Sequence, residues 1–121
     1  DPRLDYLDMS LWDLAKPAHD EGFQGQSLLD IFAGLPRDGV ALGAAGKLYG
    51  AAQCQQALDQ GLDFIMVGRA GIVHHDFPKR AFADPEFVMA DLPVSREHLR
   101  QERLGPPFID YMATWKGFVA D

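Results

Sequence analysis

The segment Asp63-Phe64-Ile65-Met66-Val67-Gly68-Arg69 joins a short apolar run to a glycine and an arginine. Four consecutive apolar residues, Phe64 to Val67, are typical of a strand that is buried on both faces. A glycine after such a strand lets a ligand approach the backbone closely, and an arginine beside it adds a planar charged group that suits phosphate. The segment therefore predicts a buried strand that ends in an anion-binding turn.

Two further strands and two helices precede this segment. Leu4 to Ser10 alternates apolar and polar residues, and Val40 to Ala44 is a second short apolar run. Ser27 is placed to cap a short helix over residues 28–32, and a second helix is expected from about Gly50 to Gln60. The order strand, helix, strand, helix, strand predicts a parallel sheet in an α/β protein.

Glycine-bearing turns follow both apolar strands. Gly43-Ala44-Ala45-Gly46-Lys47 closes one strand, and Gly68-Arg69 closes the other. Ligands of parallel α/β proteins gather at the carboxyl ends of the strands, where exposed backbone N–H groups bind phosphate oxygens. Glycine is also common at such turns for steric reasons alone, so a phosphate site and a purely steric role both remain open.

The remainder of the chain is predicted to be helical and irregular. Asp84-Pro85-Glu86 has the residues of a helix start, and Ser95 is placed to cap a polar helix that runs through Arg103. Gly105-Pro106-Pro107 is expected to break that helix, and an aromatic stretch follows from Phe108 to Trp115. We therefore expect β/α units over residues 1–82 and a helical, aromatic tail over residues 83–121, which packs on the rest of the protein or on a neighbouring subunit.

Composition limits the functional classes. The net charge of -7 argues against nucleic-acid binding, and no apolar run approaches the roughly 20 residues that cross a membrane. Because Cys54 is the one cysteine, it allows neither an intrachain disulfide nor a cysteine metal cluster, and a cytoplasmic location is expected. The chain begins at Asp1-Pro2 without a methionine, which favours the interpretation that it is a fragment.

Several other residues have side chains that could bind a metal or react. His74-His75-Asp76 is interpreted as a polar loop rather than a metal site, because adjacent ligands seldom point the same way. His98 is expected at the surface. Cys54 lies on the apolar stripe of the second helix, and we expect it to pack in the core rather than to react. No metal is expected.

Three stretches together resemble a known family. Leu42-Gly43-Ala44-Ala45-Gly46, Ala57 to Gly61 and Asp63 to Ala70 are similar to the last two β/α units of the Old Yellow Enzyme (NADH:flavin oxidoreductase) family. Asp5 to Trp12, reading DYLDMSLW, is similar to the sixth strand of that family. The resemblance implies an α/β chain that forms about strands six to eight of a (β/α)8 TIM barrel, with the N-terminal barrel half missing.

The same resemblance implies a cofactor site. The backbone N–H of Gly46, with that of Ala45 or Lys47 beside it, is expected to bind the phosphate of FMN, and Gly68 with Arg69 is expected to complete the site. NADH or NADPH would donate hydride in the full-length enzyme. Catalytic residues of this family lie on the strands that are absent here, so none is expected in this chain, which alone should be inactive.

Two aromatic residues are candidates for the substrate pocket. Phe77 falls where many relatives have an aromatic residue beside the flavin, although His74-His75 stands where an Asn-Pro or Asp-Pro pair is usual. Trp115 belongs to the aromatic stretch, for which packing is the simpler role.

Two other functions remain open. The alternative is a free-standing, non-catalytic half-barrel that binds phosphate or assembles into homo-oligomers through its open sheet edges. A different phosphate-binding barrel, such as a sugar-phosphate isomerase, shares the glycine turns but does not explain the DYLDMSLW strand.

Overall fold

A computed structural model describes residues 3–120 of the chain, in two compact units. The first unit takes up the chain to Leu48 together with Ala52–Val67, and the second takes up Tyr49–Ala51 with the chain from Gly68 onward. Asp1 and Pro2, on which the expectation of a fragment depended, lie outside the described residues.

The first unit carries a three-stranded parallel sheet. Its elements, in chain order, are β1 (Tyr6–Ser10), a 3-10 turn (Glu21–Phe23), α1 (Leu28–Ala33), β2 (Ala41–Ala45), α2 (Ala51–Asp59) and β3 (Phe64–Met66). The strand order is β1-β2-β3, so consecutive strands are neighbours and β2 is central. In the register, Tyr6 pairs with Ala41 and Gly43 pairs with Phe64. The predicted strand-helix order and its parallel sheet are confirmed.

Local signals explain where the helices of this unit begin and end. Ser27 precedes α1, and its Oγ accepts a hydrogen bond from the backbone N–H of Asp30 at 3.0 Å, as an N-cap should. Gly61 has a φ of +110°, which a residue with a side chain rarely adopts, and it follows the last turn of α2. Cys54 is buried on α2, in agreement with its predicted place in the core.

Burial is uneven across the sheet. In the central strand β2, Leu42 and Ala44 are almost fully buried. In the edge strand β1, by contrast, Tyr6 is 59% exposed and Leu7 is 42% exposed, although they face opposite sides of the sheet. Tyr6 and Leu7 therefore each leave a large apolar surface uncovered, one on each face of the sheet.

The second unit is helical, with one short parallel strand pair. It comprises α3 (Arg69–Val73), α4 (Phe77–Ala83), β4 (Val94–Ser95), α5 (Arg96–Gln101), α6 (Pro106–Ala113) and β5 (Val119–Ala120), with β4 paired to β5. Ser95 caps α5 as expected, since its Oγ accepts from the N–H of His98. One cluster of buried side chains forms its core: Val73, Val94, Leu99, Ile109, Met112 and Phe118.

Three details differ from the sequence predictions for this region. Asp84 does not start a helix; it ends α4, because its N–H donates to the carbonyl oxygen of Arg80. The helix after Ser95 ends at Gln101 rather than Arg103, which has a φ of +66°. The second unit includes residues 68–82, which the sequence analysis grouped with the β/α units, and α3 contributes Val73 to the same core as α5 and α6.

The protein is thus a mixed α/β chain with small parallel sheets, and residues 3–120 form no closed barrel. Within the same range, no helix combines the length and the apolar character that crossing a membrane requires.

Candidate functional site

The turn after β2 is shaped by a close approach of the backbone. Ala45 ends the strand, and its carbonyl oxygen accepts from the N–H of Leu11 at 2.9 Å. A Cβ added at Gly46 would lie 2.0 Å from the carbonyl oxygen of Leu11. The next residue, Lys47, has a φ of +50°. Glycine at position 46 therefore has a steric reason inside the protein, besides any role in binding.

The side chain of Lys47 has a local partner. Its Nζ lies 3.1 Å from Oδ2 of Asp13, and this hydrogen bond, with a second from the N–H of Ala15, holds the pKa of Asp13 below its usual value. Lys47 and Gly46 line an open cleft of about 270 Å³ in the first unit, together with three glutamine side chains of α2 and its C-terminal end: Gln53, Gln56 and Gln60. The ammonium group of Lys47 thus contacts Asp13. The group of Lys47 that is expected to bind the phosphate is therefore its backbone N–H.

Gly68, which follows β3 and Val67, differs from Gly46. Its φ is -96°, a value that any residue adopts, and a Cβ added there would meet no atom within 4 Å among residues 3–120. Neither the φ of Gly68 nor packing in the described chain requires glycine at this position.

The side chain of Arg69 lies in a defined environment in the second unit. Its Nη1 donates a hydrogen bond to the hydroxyl oxygen of Tyr49 at 3.2 Å. The guanidinium carbon lies 5.8 Å from the ring centroid of Trp115, within the range of a cation–π contact. Two residues that the sequence selected separately, Arg69 and Trp115, are therefore in contact.

The two candidates for the substrate pocket have different surroundings. Phe77 begins α4 and is 2% exposed, with its ring centroid 5.6 Å from that of Phe87. Trp115 is 36% exposed and lies between two other rings, 5.9 Å from Tyr111 and 6.0 Å from Phe118. Their role beside a substrate stays a prediction, and of the two only Trp115 presents a substantial surface within the second unit.

A cluster of polar side chains in the second unit was missed by the sequence reasoning. Glu102 is buried beside α5, and its Oε2 accepts hydrogen bonds from the backbone N–H and the ring Nδ1 of His75, at 2.8 and 2.6 Å. His74 is also buried, with its Nε2 accepting from the N–H of Ala90 at 2.9 Å. His74 lies in the loop between α3 and α4, as predicted, but its ring is enclosed within the second unit, where it packs edge-on to Phe87.

His98 was expected at the surface but is partly buried. Its Nε2 donates to the carbonyl oxygen of Val73 at 2.7 Å, and its ring centroid lies 5.5 Å from that of His74. The signal that could have identified this face is the spacing of His98 and Glu102, which lie four residues apart and so share one side of α5 and its end.

Ring protonation decides what this cluster can do. Ligand atoms of His74, His98 and Glu102 lie within 4.8 Å of one another, close enough to consider a metal ion. His74, however, accepts a hydrogen bond at Nε2, so its neutral ring carries the proton at Nδ1, the atom that lies 3.8 Å from Oε1 of Glu102. Nδ1 then offers no lone pair to a metal, and Arg80 adds a positive charge 3.7 Å from Glu102. The arrangement suits a structural hydrogen-bond network within the second unit better than a metal centre.

The pKa values of His74 and Glu102 are both lowered in the folded protein. Burial lowers the pKa of His74 below 6.5, and the charge of Arg80 lowers it further, against the opposing effect of Glu102. Burial raises the pKa of Glu102, but hydrogen bonds from the ring and backbone of His75 outweigh burial and leave the pKa below 4.5. His98 and Asp76 act on His74 in opposite directions and more weakly.

We therefore expect the second unit to lose stability in acid. Both groups have folded-state pKa values below their unfolded values, so their contribution is full above pH 6.5 for His74 and above pH 4.5 for Glu102, and is lost as the pH falls through the lowered values. Denaturant unfolding at a series of pH values, read from Trp115 fluorescence in a Trp12→Phe background, measures this.

Two histidine variants serve to assign the effect. His74→Gln, whose amide oxygen can still accept from Ala90, should flatten the profile between pH 7 and 5, whereas His19→Ala, at an exposed residue, should not change it. An unchanged profile in His74→Gln would show that His74 is not the titrating group.

No protein-family model matches the chain, and no curated protein matches it. A function is therefore inferred from the residues themselves and from their geometry in each unit.

Proposed function

We propose that this chain supplies the C-terminal β/α units, about strands six to eight, of an FMN-dependent oxidoreductase barrel of the Old Yellow Enzyme type, and that its turns after β2 and β3 bind the flavin phosphate. The residues assigned to the phosphate are Ala45, Gly46 and Lys47 through backbone N–H groups, and Gly68 with Arg69. The chain contributes cofactor binding and no catalytic group.

Strand order supports a barrel segment. Three parallel strands lie side by side in chain order, with a helix in each connection, as successive strands of a (β/α)8 barrel do. The exposed apolar side chains of β1, Tyr6 and Leu7, suit a strand whose next neighbour and cover belong to another part of the barrel. The proposed partner is accordingly the N-terminal barrel half.

The observation that carries the phosphate assignment is the glycine at position 68. A glycine that neither its φ nor its packing requires is explained by a ligand that comes close to the backbone. Arg69 is the next residue, and its guanidinium can form paired charge-assisted hydrogen bonds with a phosphate dianion. β2 and β3 are parallel neighbours, so their carboxyl ends lie on the same side of the sheet.

In such an enzyme, bound FMN would supply the chemistry of hydride transfer from NADH or NADPH to an electron-poor acceptor. The part of this chain is to hold the phosphate. Backbone N–H groups donate hydrogen bonds to the phosphate oxygens, and the guanidinium of Arg69 offsets part of the phosphate charge. Binding at the phosphate fixes one end of the cofactor and thereby limits where its ring can lie.

Titration of the isotope-labelled chain with inorganic phosphate and with FMN tests the assignment. We expect weak binding that shifts the amide signals of Gly46, Gly68 and Arg69, and a roughly tenfold or larger loss of affinity in Arg69→Ala, because a charge-assisted hydrogen bond is removed. Arg100→Ala, which removes an exposed arginine paired with Glu97, is the matched control. Equal affinities of Arg69→Ala and Arg100→Ala would contradict the assignment.

A second candidate is a free-standing, non-catalytic phosphate-binding or assembly module. It is favoured by the second unit, whose own buried core is of the kind that a self-sufficient domain has. Such a module should unfold in one cooperative step and remain monodisperse, whereas a barrel segment should associate through its unpaired β1 and β3 edges. Thermal unfolding combined with light scattering on this chain distinguishes the two.

A further inference from the structure

The guanidinium of Arg69 contacts two aromatic residues that come from distant parts of the second unit. Tyr49 contacts it through a 3.2 Å hydrogen bond to Nη1, and Trp115 lies against it at 5.8 Å. Tyr49 is twenty residues before Arg69 in the chain, and Trp115 is close to its end. The arginine side chain is thus held by contacts that its own helix does not provide.

Tyr49 is itself fixed by the backbone. Its carbonyl oxygen accepts from the N–H of Met89 at 2.8 Å, and the N–H of Ala51 donates to the carbonyl oxygen of Phe87 at 2.8 Å. Between them, a Cβ at Gly50 would lie 3.1 Å from the carbonyl oxygen of Phe87, so the small residue lets the two segments meet. The segment that carries Tyr49 is therefore held at both ends against residues 87–89.

Trp115 is fixed by the end of α6. The backbone N–H of Trp115 donates to the carbonyl oxygen of Met112, and its ring contacts that of Phe118 edge-on, with the ring centroids 6.0 Å apart. Met112 and Phe118 are both buried in the core of the second unit. The ring of Trp115 therefore has a rigid support beneath it while part of its surface stays exposed.

We propose that Tyr49 and Trp115 are positioning residues, which hold the guanidinium of Arg69 in one orientation to receive a phosphate dianion. The proposal rests on the phosphate role of Arg69 in the proposed function. A free arginine side chain loses rotamer freedom when it binds a ligand, and contacts that order it beforehand reduce that loss. Neither Tyr49 nor Trp115 reacts or transfers a proton in this role; both act on the phosphate through Arg69.

The variants are Tyr49→Phe, which removes only the hydroxyl, Trp115→Leu, which removes the ring, and Trp115→Phe, which restores a ring. Tyr111→Phe is the matched control, because Tyr111 is exposed on α6 and its ring contacts are with Phe108 and Trp115. Each variant is examined in the full chain by the side-chain N–H signals of Arg69 in NMR spectra without ligand, and by titration with inorganic phosphate and FMN.

We expect Tyr49→Phe to weaken phosphate binding by about two- to tenfold, the range for one hydrogen bond, and Trp115→Leu by about two- to fivefold. Trp115→Phe should recover most of the affinity, and Tyr111→Phe should lose none. The Arg69 side-chain signals should be dispersed in the unmodified chain and averaged in Tyr49→Phe. A merely structural role for Tyr49 would lower the midpoint of thermal unfolding and leave these signals dispersed.

The outcomes separate this proposal from the proposed function. Identical Arg69 signals in the unmodified chain and in Tyr49→Phe would overturn the positioning role, whatever the affinities. Dispersed signals that average in Tyr49→Phe, in a chain that binds neither phosphate nor FMN, would uphold the positioning and overturn the phosphate role of Arg69.

Discussion

Alanine in place of Gly46 is expected to lower the free energy of unfolding of the first unit by about 3 kcal/mol, the upper part of the range for overpacking. The added methyl group would lie 2.0 Å from the carbonyl oxygen of Leu11 and 3.0 Å from the backbone nitrogen of Leu14. These are backbone atoms, so a side-chain rotation cannot relieve the contact. The N–H of Leu11 is also hydrogen-bonded to the carbonyl oxygen of Ala45. Denaturant unfolding measures the change.

Gly22→Ala and Gly68→Ala are the controls for this experiment. A Cβ at either position meets nothing within 4 Å, and neither residue has a positive φ, so each variant should unfold within about 0.5 kcal/mol of the unmodified chain. A stable Gly46→Ala variant would mean that the loop after β1 does not approach the turn after β2 as described. Gly68→Ala should retain stability yet bind phosphate less well, because its methyl group occupies the space assigned to the ligand.

Glu102→Ala should destabilise the second unit by about 3 kcal/mol. The substitution removes the acceptor of two hydrogen bonds from His75 and leaves the buried Nδ1 of His74 without its nearest carboxylate. Loss of one partner from a buried, hydrogen-bonded charged group costs this much because the remaining polar groups stay desolvated.

Glu97→Ala on the same helix is the matched control for Glu102. Glu97 pairs with Arg100 in an exposed ion pair, and such pairs contribute about 0 to 1 kcal/mol. Unfolding read from Trp115 in the Trp12→Phe background compares the two variants. Equal effects at positions 97 and 102 would show that the buried carboxylate does not hold the second unit together.

The first unit followed from its sequence because its signals are local. The apolar run of β2, the cap at Ser27 and the positive φ at Gly61 each depend on residues within one turn of the chain. The chain order of three parallel strands follows from the lengths of the connections between them. What the sequence did not provide is the exposure of β1, which depends on the neighbours that a strand has in space.

The second unit was predicted less well, because its contacts join residues far apart in the chain. The residues at 84–86 have the composition of a helix start, yet Asp84 ends α4, and Phe87 turns back so that its ring lies near those of Phe77 and His74. The burial of His74 depends on Ala90 and Glu102, which are 16 and 28 residues further along the chain. Local patterns carry no information about such partners.

The positions of the candidate residues relative to the strands were predicted from the sequence, whereas their binding of phosphate stays a prediction. Ala45 ends β2, Gly46 and Lys47 follow it, and Gly68 with Arg69 follows β3. The distinction between the two glycines was not accessible, since the sequence contains the same residue at both positions and only the structure shows that Leu11 crowds one of them. Tyr49 likewise has no sequence signal that would connect it with Arg69.

The cofactor content of the intact gene product tests the central proposal most directly. The chain should be purified as part of the complete barrel that the proposal requires, both unmodified and as Arg69→Ala, and its absorbance spectrum and bound flavin should be measured. We predict a yellow protein with close to one FMN per chain and a largely flavin-free Arg69→Ala variant. A colourless protein that takes up no FMN when it is added would contradict the account.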